Sequence, residues 1–99
     1  MKGICTVPQL SAVLSPVFAR YGVRRAVLFG SYAKGQASER SDIDLLVDSG
    51  LRGLRFVSLL DEMRRAVGKE IDLFDVTHIE KDSWIHREIQ KTGVTLYEQ

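Results

Sequence analysis

The segment Ser41-Asp42-Ile43-Asp44-Leu45-Leu46-Val47 constrains the fold of this chain more than any other. On a strand, residues two apart share a face, so Ile43, Leu45 and Val47 turn toward a core while Asp42 and Asp44 project together on the other side. Such a strand needs neighbours. Arg25 to Phe29, Ile71 to Phe74 and Val94 to Tyr97 are short runs of strand formers that can supply them.

The intervening stretches read as helices. Thr6-Val7-Pro8-Gln9 is a capping-box start with Pro8 in the first turn, and Leu10, Val13, Leu14, Val17, Phe18 and Tyr21 follow at helical spacing. Pro16 interrupts that pattern, which leaves either one helix bent at Pro16 or a short helix followed by a second one capped by Ser15. Gly22 ends it. Ser31 to Lys34 can make a helical turn or two. Phe56, Leu59, Leu60, Met63 and Val67 form one apolar stripe of a helix over Leu54 to Val67, closed by Gly68. A last helix is expected over Asp82 to Lys91, with Ile85 and Ile89 inward. The order α, β, short α, β, α, β, α, β implies a small α/β (α+β) fold, a mixed sheet covered by helices on one face.

At 99 residues the expectation is one domain over 1–99, with a radius of gyration of roughly 13 Å. No apolar stretch approaches the ~18 residues of a membrane span, and Met1 to Cys5 lacks the long apolar core of a signal peptide. With Cys5 as the single cysteine, expected to be a small apolar filler, no intramolecular disulfide is possible, so the chain reads as cytoplasmic. A net charge of +1 argues against nucleic acid or an acidic membrane as the main partner. The sum conceals an asymmetry. Residues 1–41 carry six basic side chains against Glu39 alone, and residues 42–99 carry eight basic against twelve acidic. That fits a scattered solvated surface, or an anion handled by the first part and cations by carboxylates from Asp42 onward.

Two carboxylates held within about 7 Å repel unless a cation lies between them, and a hard divalent ion is the usual solution. Asp72 sits in another apolar strand. If that strand neighbours Ile43 to Val47, Asp72 adds a third carboxylate from the side, enough for two ions ~3.5–4 Å apart in a phosphoryl-transfer centre. Asp75 competes for this place, but a continued strand turns it to the face opposite Asp72. Gly30 after a strand permits a sharp turn and close approach of a ligand, and the N–H groups that follow, with the Ser31 hydroxyl, suit a phosphate. Lys34, one turn on, can add positive charge, with Arg40 a weaker candidate. His78 and His86 lie eight apart, a poor spacing for a shared metal and better suited to surface or capping roles. The context of a hydrolase nucleophile and a Walker sequence are both missing. Trp84 and Tyr97 are expected in the core, the alternative for either being a partner interface.

A Gly-Ser after a strand is most often only a turn, and an isolated Asp-x-Asp most often a solvated strand end. In combination they are specific. Phe29-Gly30-Ser31, ten residues, Asp42-Ile43-Asp44 opening an apolar strand, and Asp72 in a later strand resemble the nucleotidyltransferase superfamily that includes DNA polymerase β. The closest match is its minimal single-domain branch, the MNT proteins, over nearly the whole chain. That resemblance implies that Gly30 and Ser31 bind a triphosphate and that Asp42 and Asp44 each bind Mg²⁺. It further implies that Asp72 binds the catalytic ion and helps activate the attacking hydroxyl. Where the family often has Gly-Ser-x-Ala-Arg-Gly-Glu, this chain has Gly30-Ser31-Tyr32-Ala33-Lys34-Gly35-Gln36. Lys34 keeps the charge without the guanidinium fork, and Gln36 drops a carboxylate outside the triad.

What the resemblance implies for function is transfer of a nucleotidyl group, with ATP as donor and two Mg²⁺ ions as cofactors. Members of the minimal branch are often the antitoxin of a pair whose toxin is a helical HEPN ribonuclease, and some transfer AMP to a tyrosine of that toxin. The leading expectation is therefore a Mg²⁺-dependent protein adenylyltransferase in a hetero-oligomer with a HEPN-family toxin. The alternatives are an RNA end or small-molecule hydroxyl as acceptor, or an antitoxin that masks its partner by binding, with a vestigial nucleotide site.

Overall fold

A computed structural model describes residues 6–99; Cys5 and the rest of the segment before Thr6 lie outside that range. Thr6 caps the first helix, α1 (Val7–Arg20): its Oγ1 accepts from Gln9 N at 3.2 Å, and Gln9 Oε1 accepts from Thr6 N at 2.8 Å. The capping box read from the sequence is thus complete. Helix α1 continues through Pro16 as one element, and the alternative of a second helix begun at Ser15 does not occur. Pro16 has no N–H to give to the preceding turn, while the Ser15 hydroxyl donates to the Ser11 carbonyl at 2.6 Å, a bond within a helix rather than a cap.

Four strands follow, β1 (Arg25–Phe29), β2 (Ile43–Asp48), β3 (Ile71–Asp75) and β4 (Val94–Glu98). Between them lie α2 (Ser31–Lys34), α3 (Leu54–Val67), a 3-10 turn at Val76–His78, and α4 (Trp84–Thr92). The sheet order is β3-β2-β1-β4, with β2 and β3 parallel and the other pairs antiparallel. Parallel pairing of β2 with β3 requires a crossover, and α3 supplies it. Helix α4 begins at Trp84 instead of Asp82, because Asp82 is left-handed (φ 67°) and Ser83 takes the cap, accepting from His86 N at 3.2 Å.

The main apolar layer lies on one face of the sheet. Ala26 and Leu28 of β1, Ile43, Leu45 and Val47 of β2, Ile71 of β3 and Leu96 of β4 pack under Leu10, Leu14, Val17 and Phe18 of α1 and Leu59, Met63 and Val67 of α3. In β1 and β2 these residues alternate with ones that face the other side, whereas in β4 a register shift at Leu96 lets Tyr97 pack on the same layer. Helix α4 also packs on β1, and its end at Gly93 is pressed so close that a Cβ there would stand 3.1 Å from Val27 Cγ1. The Cα radius of gyration is 12.5 Å, and no helix of the described residues is long and apolar enough to cross a membrane. Tyr97 packs partly buried against Phe18, ring centroids 5.3 Å apart, as expected. Trp84 is not in the core: at the first position of α4 it is 63% exposed.

Candidate active site

The face of the sheet opposite the main core carries the carboxylates. Parallel register sets Asp44 directly beside Asp72, and antiparallel register sets Asp44 opposite Phe29, the residue before Gly30. Asp42 stands just ahead of β2, exposed like Asp72, while Asp44 is partly buried. The pairing that the sequence could state only conditionally, β3 next to β2, is therefore present. Burial first, and then the negative charges of Asp72 and Asp42, push the Asp44 carboxyl up to about 6. Such crowding is what a bound cation would relieve, and all three side chains are hard oxygen donors that suit a divalent ion. Among the described residues no three acidic, imidazole or thiol side chains converge closely enough to hold a metal ion as they stand.

Gly30 turns the chain from β1 into α2 with φ 76° and ψ −152°, a conformation that L side chains rarely adopt. A Cβ at this residue would collide with Asp44 Oδ2. The turn thus lies against the carboxylate it is expected to serve. Ser31 opens α2, and Lys34 stands at its end, partly exposed. Arg40 lies in the exposed loop after α2 and makes no ion pair among the described residues.

Two residues of α4 that the sequence reading passed over reach this corner. The Gly30 N–H donates to Thr92 Oγ1 at 3.3 Å, and Glu88 Oε1 lies 3.4 Å from Lys34 Nζ. Glu88 also adds to the charge felt by Asp44. The only sequence signal was their four-residue spacing on one helix face next to Ile85 and Ile89. Nothing local ties α4 to Gly30; the chain returns there through β3.

Asp75 is a different kind of carboxylate. It is 1% exposed and faces away from Asp72. Ser49 donates to its Oδ1 from N at 3.1 Å and Oγ at 2.6 Å, and Thr77 donates to Oδ2 from N at 3.0 Å and Oγ1 at 2.7 Å. Burial alone would raise its pKa, but these bonds outweigh it and hold the carboxyl below its usual range. Its role is to tie the ends of β2 and β3 to the 3-10 turn. The imidazoles are likewise outside the carboxylate set: His78 meets the edge of Phe56, and His86 Nδ1 accepts from Asp82 N at 3.3 Å. A cavity of about 420 Å³ lies between the start of α1 and α2, lined by Thr6, Val7, Tyr32 and Lys34 among others, and includes none of the carboxylates.

Comparison with known proteins follows the same lines. Residues 13–99 match the family described as polymerase beta, nucleotidyltransferase. A Methanocaldococcus jannaschii protein, provisionally named a protein adenylyltransferase, is 36% identical over 75 residues, 74% of this chain and 81% of that one. The protein adenylyltransferase MntA of Thermococcus cleftensis is 41% identical over 58 residues, 54% of this chain but only 57% of the relative. Among solved structures, one described provisionally as a minimal nucleotidyltransferase superposes with a TM-score of 0.73 at 26% identity, covering 91% of this chain and 95% of that one. A toxin–antitoxin crystal structure with AMP-PNP gives a TM-score of 0.76 at 20% identity, covering 90% of this chain and 73% of its own. A complex of tri-AMPylated Shewanella oneidensis HEPN toxin with MNT antitoxin gives 0.71 at 17%, covering 95% and 74%; these last two bear on the fold alone.

Proposed function

The chain belongs to the polymerase β-type nucleotidyltransferase family, and on that premise we propose that it is a protein adenylyltransferase serving as the antitoxin of a HEPN-type toxin. It transfers AMP from ATP to a tyrosine hydroxyl of that partner, in the cytoplasm, where ATP is supplied. The observation that carries the reading is the placement of Asp44 between Asp72 and the Gly30 turn, with acid on one side and backbone donors on the other. The names of the relatives support the transferred group, and the toxin–antitoxin neighbours support the kind of partner.

In this reading Gly30 and Ser31 hold the β- and γ-phosphates through their N–H groups and the Ser31 hydroxyl, and Lys34 adds charge at the end of the turn. Asp42, Asp44 and Asp72 would hold two Mg²⁺ ions, which when bound supply neutralisation of the phosphate charge. Asp72, at the exposed edge of the set, faces the acceptor and takes up the proton of its hydroxyl. The hydroxyl oxygen attacks the α-phosphorus in line, the new O–P bond forms as the bond to the β-phosphate oxygen breaks, and pyrophosphate leaves. Among the described residues Asp42 and Asp72 are exposed, and on this reading a partner completes the site.

Intact-mass spectrometry tests this directly. The chain is incubated with ATP, Mg²⁺ and the product of its genomic neighbour if that is a HEPN protein. Gains of whole AMP units on the partner, absent with Asp42→Asn combined with Asp44→Asn, are the expected result. A stable complex with no gain, still neutralised by the double variant, would replace transfer by masking.

A further inference from the structure

Two of the donors expected to meet the triphosphate, the Gly30 N–H and the Lys34 ammonium, are already engaged, and by the same helix. Thr92 Oγ1 accepts the Gly30 N–H at 3.3 Å and itself donates to the Glu88 carbonyl at 3.0 Å. One turn earlier on the same side of α4, the Glu88 carboxylate faces the Lys34 ammonium at 3.4 Å. We propose that the C-terminal half of α4 is a self-masking latch on the phosphate side of the site, Glu88 holding Lys34 and Thr92 holding Gly30 until an incoming triphosphate takes both donors. The inference rests on the phosphate role given to Gly30 and Lys34 above.

The geometry suits a latch that opens. A charge-assisted N–H···O bond settles at about 2.7–2.9 Å and a neutral one at about 2.7–3.2 Å, so the 3.4 Å pair is long and the 3.3 Å amide bond slightly so, and both are easily exchanged. Both side chains of the ion pair retain access to water, 41% for Lys34 and 27% for Glu88, which keeps the pair weak. The helix itself is not free to drift. Gly93 is pressed against Ile89 and Val27, so α4 stays in place and exchange falls to the side chains. Glu88 is then a carboxylate standing where phosphate charge is to come, and it draws the Lys34 ammonium toward itself.

The test is the affinity for inorganic tripolyphosphate and for ATP, measured by calorimetry in EDTA so that carboxylate-bound cations play no part. Glu88→Gln should tighten binding roughly three- to fivefold, the gain from freeing Lys34 from an exposed ion pair. In a Lys34→Gln background the same substitution should give a gain at least threefold smaller, because the latch acts through Lys34. Glu88→Ala, with unfolding temperature monitored for both, guards against an artefact of the amide. No gain, or an equal gain in both backgrounds, overturns the latch. Failure of the transferase reading looks different: anion binding still responds to Glu88, while no AMP appears on the partner in the mass experiment.

Discussion

Gly30 and Asp44 lie in such close contact that no side chain fits at residue 30. A Cβ there would collide with Oδ2 and stand 3.4 Å from Cγ of Asp44, and the backbone φ of 76° already excludes most residues. The Gly30 turn and the carboxylate proposed to bind a cation are therefore one unit, joined by the pairing of Phe29 with Asp44.

Gly30→Ala should cost about 2–4 kcal/mol of stability, from the left-handed backbone and the overlap together, and should abolish transfer. Denaturant unfolding measures the first. Adding Asp44→Ala should restore part of the loss, since it removes the overlapped atom, while transfer stays absent; strict additivity of the two changes would contradict the contact.

Asp72→Asn and Asp75→Asn, three residues apart on one strand, should fail in opposite ways. The first should leave the fold intact and reduce AMP transfer at least a hundredfold. The second leaves a buried amide among four donors and should cost about 2–3 kcal/mol. Paired thermal melts and mass assays on the two variants read the contrast.

Asp75 also sets an acid limit. Its folded-state pKa lies below the unfolded value, so its contribution is fully present above the unfolded carboxylate range and is lost as pH falls through the folded value. Wild-type unfolding temperature should therefore drop below about pH 4 more steeply than that of Asp75→Asn. Parallel melts across pH 3 to 7 check it.

Substituting Trp84 by Ala should change stability by no more than about 0.5 kcal/mol, because the side chain is mostly in water. Its fluorescence, from the chain's single tryptophan, should already resemble that of a solvated indole in the folded state and shift little on unfolding.

The Trp84 result marks how far pattern reading reaches. As a large aromatic side chain Trp84 is expected inside or at an interface, and only the helix start fixed by the left-handed Asp82 and the Ser83 cap leaves the indole in water. The capping box at Thr6, the four strands, the opposed faces of Asp72 and Asp75 and the Gly30 turn were legible because each follows from spacing within a few residues. Glu88 and Thr92 were not, since their contacts with Lys34 and Gly30 span 54 and 62 residues.

By itself, then, the sequence determined the pieces: which residues alternate, which helices cap, and that Asp42 and Asp44 share a face. Those follow from local backbone geometry, where period two and period 3.6 assign a side to each residue. Tertiary structure decided the strand order, which sets Asp72 beside Asp44, and the return of α4 onto the Gly30 turn. Both depend on packing whole elements against a common core, and the free energy of that packing is spread over contacts too distant in the chain to leave a local pattern.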